Sequence, residues 1–179
     1  DIQGFAACWG ISVLHCPYCH GYEVRHKSTG ILANGDIGFD LVSLVSNWTS
    51  DLTLYTNGKS TLSDQQTKKL RKHNINITEN EIQRIEHKNG YVENIVFKDG
   101  LNKLVEVLYA RPPFVQHSFI PQFLGCELSP EGYIITDAAQ RTTIPGVFAC
   151  GDNTSRIRTV ANAVSMGTTT GLSVNKMLI

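Results

Sequence analysis

Gly30-Ile31-Leu32-Ala33-Asn34-Gly35-Asp36-Ile37-Gly38 is the stretch on which the fold turns. Gly30–Ala33 has the length and apolar character of a buried strand, and Asn34–Gly38 that of a tight glycine loop. From Phe39 to Trp48 apolar residues recur at helical spacing, and Leu52-Thr53-Leu54-Tyr55 reads as a second strand. Strand, glycine loop, helix and strand in that order predict an α/β, Rossmann-like domain. The loop Ala33-x-Gly35-x-x-Gly38 has the shape of a dinucleotide fingerprint, in which a helix N-terminus faces a pyrophosphate. Gly35 and Gly38 are its candidate residues, although alanine stands in place of the first glycine. Thr56-Asn57-Gly58-Lys59, at the end of the second strand, holds neither an acid for a ribose nor an arginine cluster for a 2′-phosphate. Lys59 is the cation close by and the third candidate, and an ordinary βα turn is the competing reading.

Upstream lies Cys16-Pro17-Tyr18-Cys19-His20-Gly21. Two cysteines three positions apart can close a disulfide if the segment turns like the start of a helix. The first amides of such a turn are expected to lower a thiol pKa and so to favour a thiolate. His20, an imidazole that titrates near neutrality in its ordinary state, suits proton transfer to and from sulfur; capping the turn is its structural alternative. Zinc is not expected: His15 and Cys16 are adjacent, and no second ligand pair lies at finger spacing.

Downstream, Thr61-Leu62-Ser63-Asp64 offers a cap for a helix running to His73. Ile75–Ile77, the pair Ile82–His87 and Tyr91–Phe97 turning at Lys88-Asn89-Gly90, and Leu104–Tyr109 read as strands. Arg111-Pro112-Pro113 is the expected domain crossing. Gly132–Ile135 and Gly146–Ala149 read as further strands, and Ser155–Leu178 as mostly helix. Gly146-Val147-Phe148-Ala149-Cys150-Gly151-Asp152 is a buried strand ending in Gly-Asp. There the backbone can approach a ligand closely and the carboxylate can accept from sugar or ribityl hydroxyls. Arg158 adds a positive charge at the start of the last helix.

Sixteen basic and sixteen acidic residues cancel, so charge supplies no argument for nucleic acid or an anionic membrane. The longest apolar runs are too short to span a bilayer. Five cysteines, three of them alone in apolar surroundings (Cys8, Cys126, Cys150), make a poor disulfide framework and point to a reducing, cytoplasmic setting.

The order of a Cys-x-x-Cys segment, a degenerate glycine loop, Pro-Gly-Val-Phe-Ala-x-Gly-Asp and a small-residue C-terminal helix resembles the low-molecular-weight thioredoxin reductases and their relatives. The resemblance covers nearly the whole chain. It implies a three-layer ββα pyridine-nucleotide domain inserted in an FAD domain. Residues 1–11 would then connect from the FAD domain, 12–110 form the redox domain, and 111–179 form the C-terminal part of the FAD domain. It also implies a flavin-dependent thiol–disulfide oxidoreductase that uses FAD, with NADPH, NADH, a ferredoxin and oxygen open as its electron partner. The full-length form would be a homodimer acting on a thioredoxin-like protein or a small-molecule dithiol or disulfide. By position, Cys19 resembles the flavin-proximal cysteine and Cys16 the interchange thiol. Gly151 and Asp152 match the FAD-contacting Gly-Asp, and Arg158, Thr159 and Val160 fall where the family's helix meets the flavin ring.

Two departures from the pattern matter. His20 stands where thioredoxin reductases usually carry an aspartate, and Cys-x-x-Cys-His-Gly-Tyr-Glu resembles the subgroup of dithiol oxidases, which pass electrons to oxygen. In addition, the family carries an N-terminal segment of about a hundred residues with the glycine fingerprint for FAD, and this sequence starts after it, as a fragment, a truncation or half of a split protein would. A non-catalytic binding module that lost its FAD half is the reading from a different class.

Overall fold

The computed structural model describes residues 2–179. Two compact units divide between Pro112 and Pro113. The first contains α1 (Phe5–Cys8), β1 (Val13–Leu14), α2 (Pro17–His20), β2 (Thr29–Leu32), α3 (Gly35–Val45), β3 (Leu52–Tyr55), α4 (Asp64–Lys72) and β4 (Asn76–Thr78). It continues through β5 (Ile82–Lys88), β6 (Tyr91–Phe97), β7 (Asn102–Leu104) and β8 (Val107–Ala110).

Five of these strands form a parallel sheet in the order β1-β8-β2-β3-β4, and β5-β6-β7 form an antiparallel sheet. The strand period of two sends alternate residues into two cores. Leu14, Ile31, Leu54, Val107 and Tyr109 join Leu41, Val42, Val45 and Leu70 of the helices. Val13, Tyr55, Leu108 and Ala110 join Ile85, Val92, Ile95 and Phe97 of the antiparallel layer. The result is the ββα sandwich that the sequence predicts.

Local chemistry explains the boundaries. Ser63 and Gln66 exchange hydrogen bonds as a capping box that starts α4 (Ser63 N to Gln66 Oε1, 2.9 Å; Gln66 N to Ser63 Oγ, 3.2 Å). Asn89 and Gly90 both take left-handed backbone, with φ of 51° and 84°, as a tight β5–β6 hairpin requires. The buried Ser12 hydroxyl donates to Gly90 O at 2.6 Å and accepts from Val92 N at 2.9 Å, fastening that hairpin to the entry of β1. Residues 2–11 lie within this unit: Ile85 N donates to Gln3 O at 2.8 Å and Cys8 is fully buried, its thiol pKa pushed up by burial.

One expected strand is two. Leu104–Tyr109 begins as the exposed end of β7, crosses at Val105-Glu106, and continues as β8 in the other sheet. Ser28 makes the crossing, its carbonyl accepting from Glu106 N and Val107 N.

The second unit holds α5 (Ile120–Phe123), a 3-10 turn at Gly151–Asn153, and α6 (Val160–Leu178). Gly132–Ile135 and Gly146–Ala149 are not strands; they contribute single antiparallel bridges, Leu128 to Ile134 and Arg141 to Phe148. Turns at Ser129–Gly132 and Asp137–Gln140 bend these segments too often for a ladder to extend. The last helix starts at Val160 rather than Ser155 because Thr159, in extended backbone, caps it by accepting from Asn162 N. No helix among the described residues is long and apolar enough to cross a membrane.

Candidate functional site

Strand β1 delivers the chain to Cys16, which stays extended (φ −124°, ψ 109°) as the residue before α2. Pro17 follows at the first helical position, where its fixed φ suits the turn and no amide is lost. Cys19 N and His20 N both donate to Cys16 O, at 3.3 and 3.2 Å. This single turn brings the sulfurs to 2.7 Å, with Cys19 Sγ donating to Cys16 Sγ. Both cysteines are free thiols, Cys19 exposed and Cys16 half-buried.

The hydrogen bond to Cys16 raises the Cys19 pKa above its ordinary value, helped by partial burial and by the charge of Cys16. The amides of the turn are spent on the Cys16 carbonyl, and the lowered thiol pKa expected of such a turn does not hold at Cys19. The His20 side chain follows, half-buried, with no hydrogen bond or ion pair among the described residues. Exposed aromatic side chains flank the turn: Tyr18, Tyr22 under Arg25, and Trp9, whose ring centroid is 6.0 Å from that of His15.

Gly21 ends the turn, buried against the Trp48 indole. Its backbone is ordinary right-handed helix (φ −60°, ψ −36°), so alanine carries no conformational penalty there. A Cβ, however, would lie 2.5 Å from Trp48 Cε2 and 2.6 Å from Nε1, and closer still to Pro17 O. Gly21→Ala is expected to destabilise the unit by about 1–3 kcal/mol and to disturb the cysteine turn. A denaturant midpoint equal to that of the wild type would refute this packing account.

The glycine loop is arranged differently from a nucleotide cradle. Asn34 Oδ1 accepts from Gly35 N at 2.8 Å, from Thr61 N at 2.9 Å and from Thr61 Oγ1 at 3.2 Å. Its amide donates to Lys59 O at 2.9 Å. Thr61 sits so closely over Gly35 (φ 56°) that a Cβ there would meet its Oγ1 at 2.8 Å. Gly38 is buried, its space set by Ala33 O and Leu54 at 3.2 Å, which is the helix-packing role of the last fingerprint glycine. The Lys59 side chain is exposed. One side chain thus takes the first helix amide and ties segment 59–61 over the helix mouth.

In the second unit Gly151 is buried with φ 82°, and the exposed Asp152 carboxylate makes no hydrogen bond or ion pair among the described residues. Arg158 lies 4.6 Å over the Phe114 ring, which stacks on Tyr133 at 4.7 Å, and donates to Tyr133 Oη at 3.3 Å. Thr159 is the helix cap, and Val160 is 82% exposed. None of the nineteen residues of α6 is buried.

Residues 23–167 match the pyridine nucleotide-disulphide oxidoreductase family. The chain belongs to that family. Among the relatives of this chain is thioredoxin reductase tcpT of Claviceps purpurea, 30% identical over 100% of the chain and 58% of that protein. Thioredoxin reductase aclD of Aspergillus oryzae is 30% identical over 99% of the chain and 60% of that protein. The crystal structure of a putative thioredoxin reductase from Bacillus anthracis superposes with a TM-score of 0.90 at 27% identity, over 99% of the chain and 60% of that structure. HlmI superposes with a TM-score of 0.88 at 28% identity, over 99% and 56%. The chain thus spans about three-fifths of the length of its thioredoxin reductase relatives.

The family implies FAD and a reduced pyridine nucleotide. Gly151 and Asp152 fit a flavin: a tight left-handed backbone beside a carboxylate with no protein partner is suited to a polyol. The Asn34–Thr61 arrangement does not fit a pyridine-nucleotide pyrophosphate, because segment 59–61 lies where the phosphates would approach the helix.

The sequence placed Cys16 and Cys19 on one turn, and the structure brings their sulfurs together. Sequence reasoning missed Thr61 and Trp48, whose parts depend on contacts 26 and 27 residues away from Gly35 and Gly21. The Phe114–Tyr133–Arg158 stack was equally invisible. Asn34, directly before the glycine, was the one local signal available.

Proposed function

We propose that this oxidoreductase transfers electrons between FAD and the Cys16–Cys19 pair, and from there to or from an external dithiol or disulfide. The observation that supports it most strongly is the 2.7 Å sulfur–sulfur approach of two free thiols on one helical turn. FAD, when bound, supplies the two-electron donor and acceptor; Gly151, Asp152 and the 158–160 segment are the residues that would hold it.

In the reductase direction the Cys16 thiolate attacks a substrate sulfur, forming a mixed disulfide and expelling a thiolate that takes a proton from His20. Cys19 then gives its proton to the now neutral His20 and attacks the Cys16 sulfur. The second substrate thiolate leaves, and the pair becomes a disulfide, oxidised by two electrons while the substrate is reduced by two. Oxidation of a dithiol runs the same bonds in reverse. The closed glycine loop favours that second direction, with oxygen as the final acceptor, over a nicotinamide-driven reductase. A thioredoxin-like or small-molecule partner, a homodimer and a cytoplasmic setting complete the proposal.

Thiol counting tests it. Full-length protein reduced with dithiothreitol and then reoxidised is expected to lose two thiols, both mapped to the peptide carrying Cys16 and Cys19. Loss of none, or loss from Cys8, Cys126 or Cys150 instead, would exclude the proposed redox pair.

A further inference from the structure

The redox segment leaves the parallel sheet after Leu14 and rejoins it at Thr29, and its return leg is pinned to the corner between α3 and β3. Trp48 N donates to Val45 O at 2.8 Å and carries the end of α3 into that corner. His26 N donates to Trp48 O at 2.9 Å, Thr49 Oγ1 to Lys27 O at 2.9 Å, and Thr29 N to Asp51 O at 3.0 Å. Three bonds from residues 48–51 thus fix where the chain comes back from the cysteines.

Trp48 also meets the cysteine turn itself. Pro17 and Gly21, four residues apart and joined by the bond from Gly21 N to Pro17 O at 2.8 Å, are buried, while Tyr18 and Cys19 between them are exposed. Gly21 rests on the half-buried Trp48 indole, so closely that a Cβ there would meet Cε2 at 2.5 Å and Nε1 at 2.6 Å. The turn therefore has a packed wall on one side and water on the other. A helix of four residues does not hold its own shape, because its first turn fixes several dihedrals for very few hydrogen bonds. Contact with the indole supplies the restraint that its length does not.

We propose that Trp48 is a positioning residue for the Cys16–Cys19 pair, its indole seating the turn so that the two sulfurs stay within bonding reach and the disulfide is favoured. A disulfide forms only where the two Cα atoms lie about 4.4–6.8 Å apart, and a frayed turn carries them out of that range. In exchange with oxidised glutathione the pair gives up two electrons and two protons as its own S–S bond forms. One glutathione disulfide takes them up and becomes two thiols. Holding the dithiol in its closed geometry raises the effective concentration of one sulfur at the other and draws this equilibrium toward the protein disulfide. The Trp48 carbonyl survives any substitution at that position, so side-chain variants read the indole alone. The inference rests on Cys16 and Cys19 being a redox pair.

The test is the equilibrium constant of the pair against glutathione. Full-length protein is equilibrated without oxygen in glutathione buffers of graded ratio, the free thiols are alkylated, and the peptide carrying Cys16 and Cys19 is weighed. Trp48→Leu is expected to shift the constant toward the dithiol on the order of tenfold, about 30 mV, and Trp48→Phe, which keeps one ring, about threefold. Leu70→Ala, a truncation of the buried α4 residue that shares none of these contacts, should lower the denaturant midpoint and leave the constant unmoved. A wild-type constant in either folded Trp48 variant, or an equal shift in Leu70→Ala, would overturn the assignment. If the wild type forms no Cys16–Cys19 disulfide at any ratio, the redox pair fails and this inference with it; if the disulfide forms but ignores Trp48, the pair stands and the inference alone fails.

Discussion

Cys16→Ser in the flavin-loaded, full-length protein is expected to lose thiol–disulfide turnover by a factor on the order of 10³ or more, as removal of a covalent nucleophile does. The same variant should gain a long-wavelength thiolate–flavin band. Cys19→Ser should lose turnover equally and show no band. The sign follows from the pair's electrostatics. The Cys19 pKa is raised first by the hydrogen bond it donates to Cys16. Replacing Cys16 removes that acceptor and its charge, so the Cys19 pKa falls back and its thiolate becomes available at lower pH. Absorbance spectra across pH 6–9 check this. A band in Cys19→Ser instead would exchange the roles of the two cysteines.

The parts of this fold legible in the sequence are those set by neighbours along the chain. Ser63 and Gln66 are three residues apart and fix the start of α4 by themselves. Asn89-Gly90 fixes its hairpin through backbone sign alone. Leu52–Tyr55, buried at every position, reads as a strand because a sheet covered on both faces needs no alternation. Failures arose where a partner far along the chain decided the outcome. Leu104–Tyr109 is one apolar run in sequence, but Ser28 turns it from one sheet to another. Gly132–Ile135 has strand composition, yet Ser129 draws Tyr133 and Gly132 into a turn, and only a single bridge remains.

The site divides in the same way. Cys16, Cys19 and His20 declare themselves within five residues, and helical geometry then brings the sulfurs together. The glycine loop could not be judged locally, because its capacity for a phosphate depends on Thr61, which only the fold brings over Gly35.

That loop sets the second large effect. With Asn34 holding Gly35 N and segment 59–61 across the helix mouth, NADPH and NADH are expected to leave the bound flavin oxidised over the time in which an equal concentration of a dithiol bleaches it. Anaerobic titration of the oxidised, flavin-loaded full-length protein carries both comparisons in one experiment, and it tests the coupling of flavin to the Cys16–Cys19 pair most directly. With a dithiol as titrant, the wild type is expected to take up about four electrons per chain, two on the flavin and two on the disulfide, while Cys16→Ser, with no disulfide to relay them, leaves its flavin oxidised over the same time. Uptake of about two electrons by the wild type, with its flavin fully reduced and its cysteine pair unchanged, would contradict a flavin-coupled disulfide.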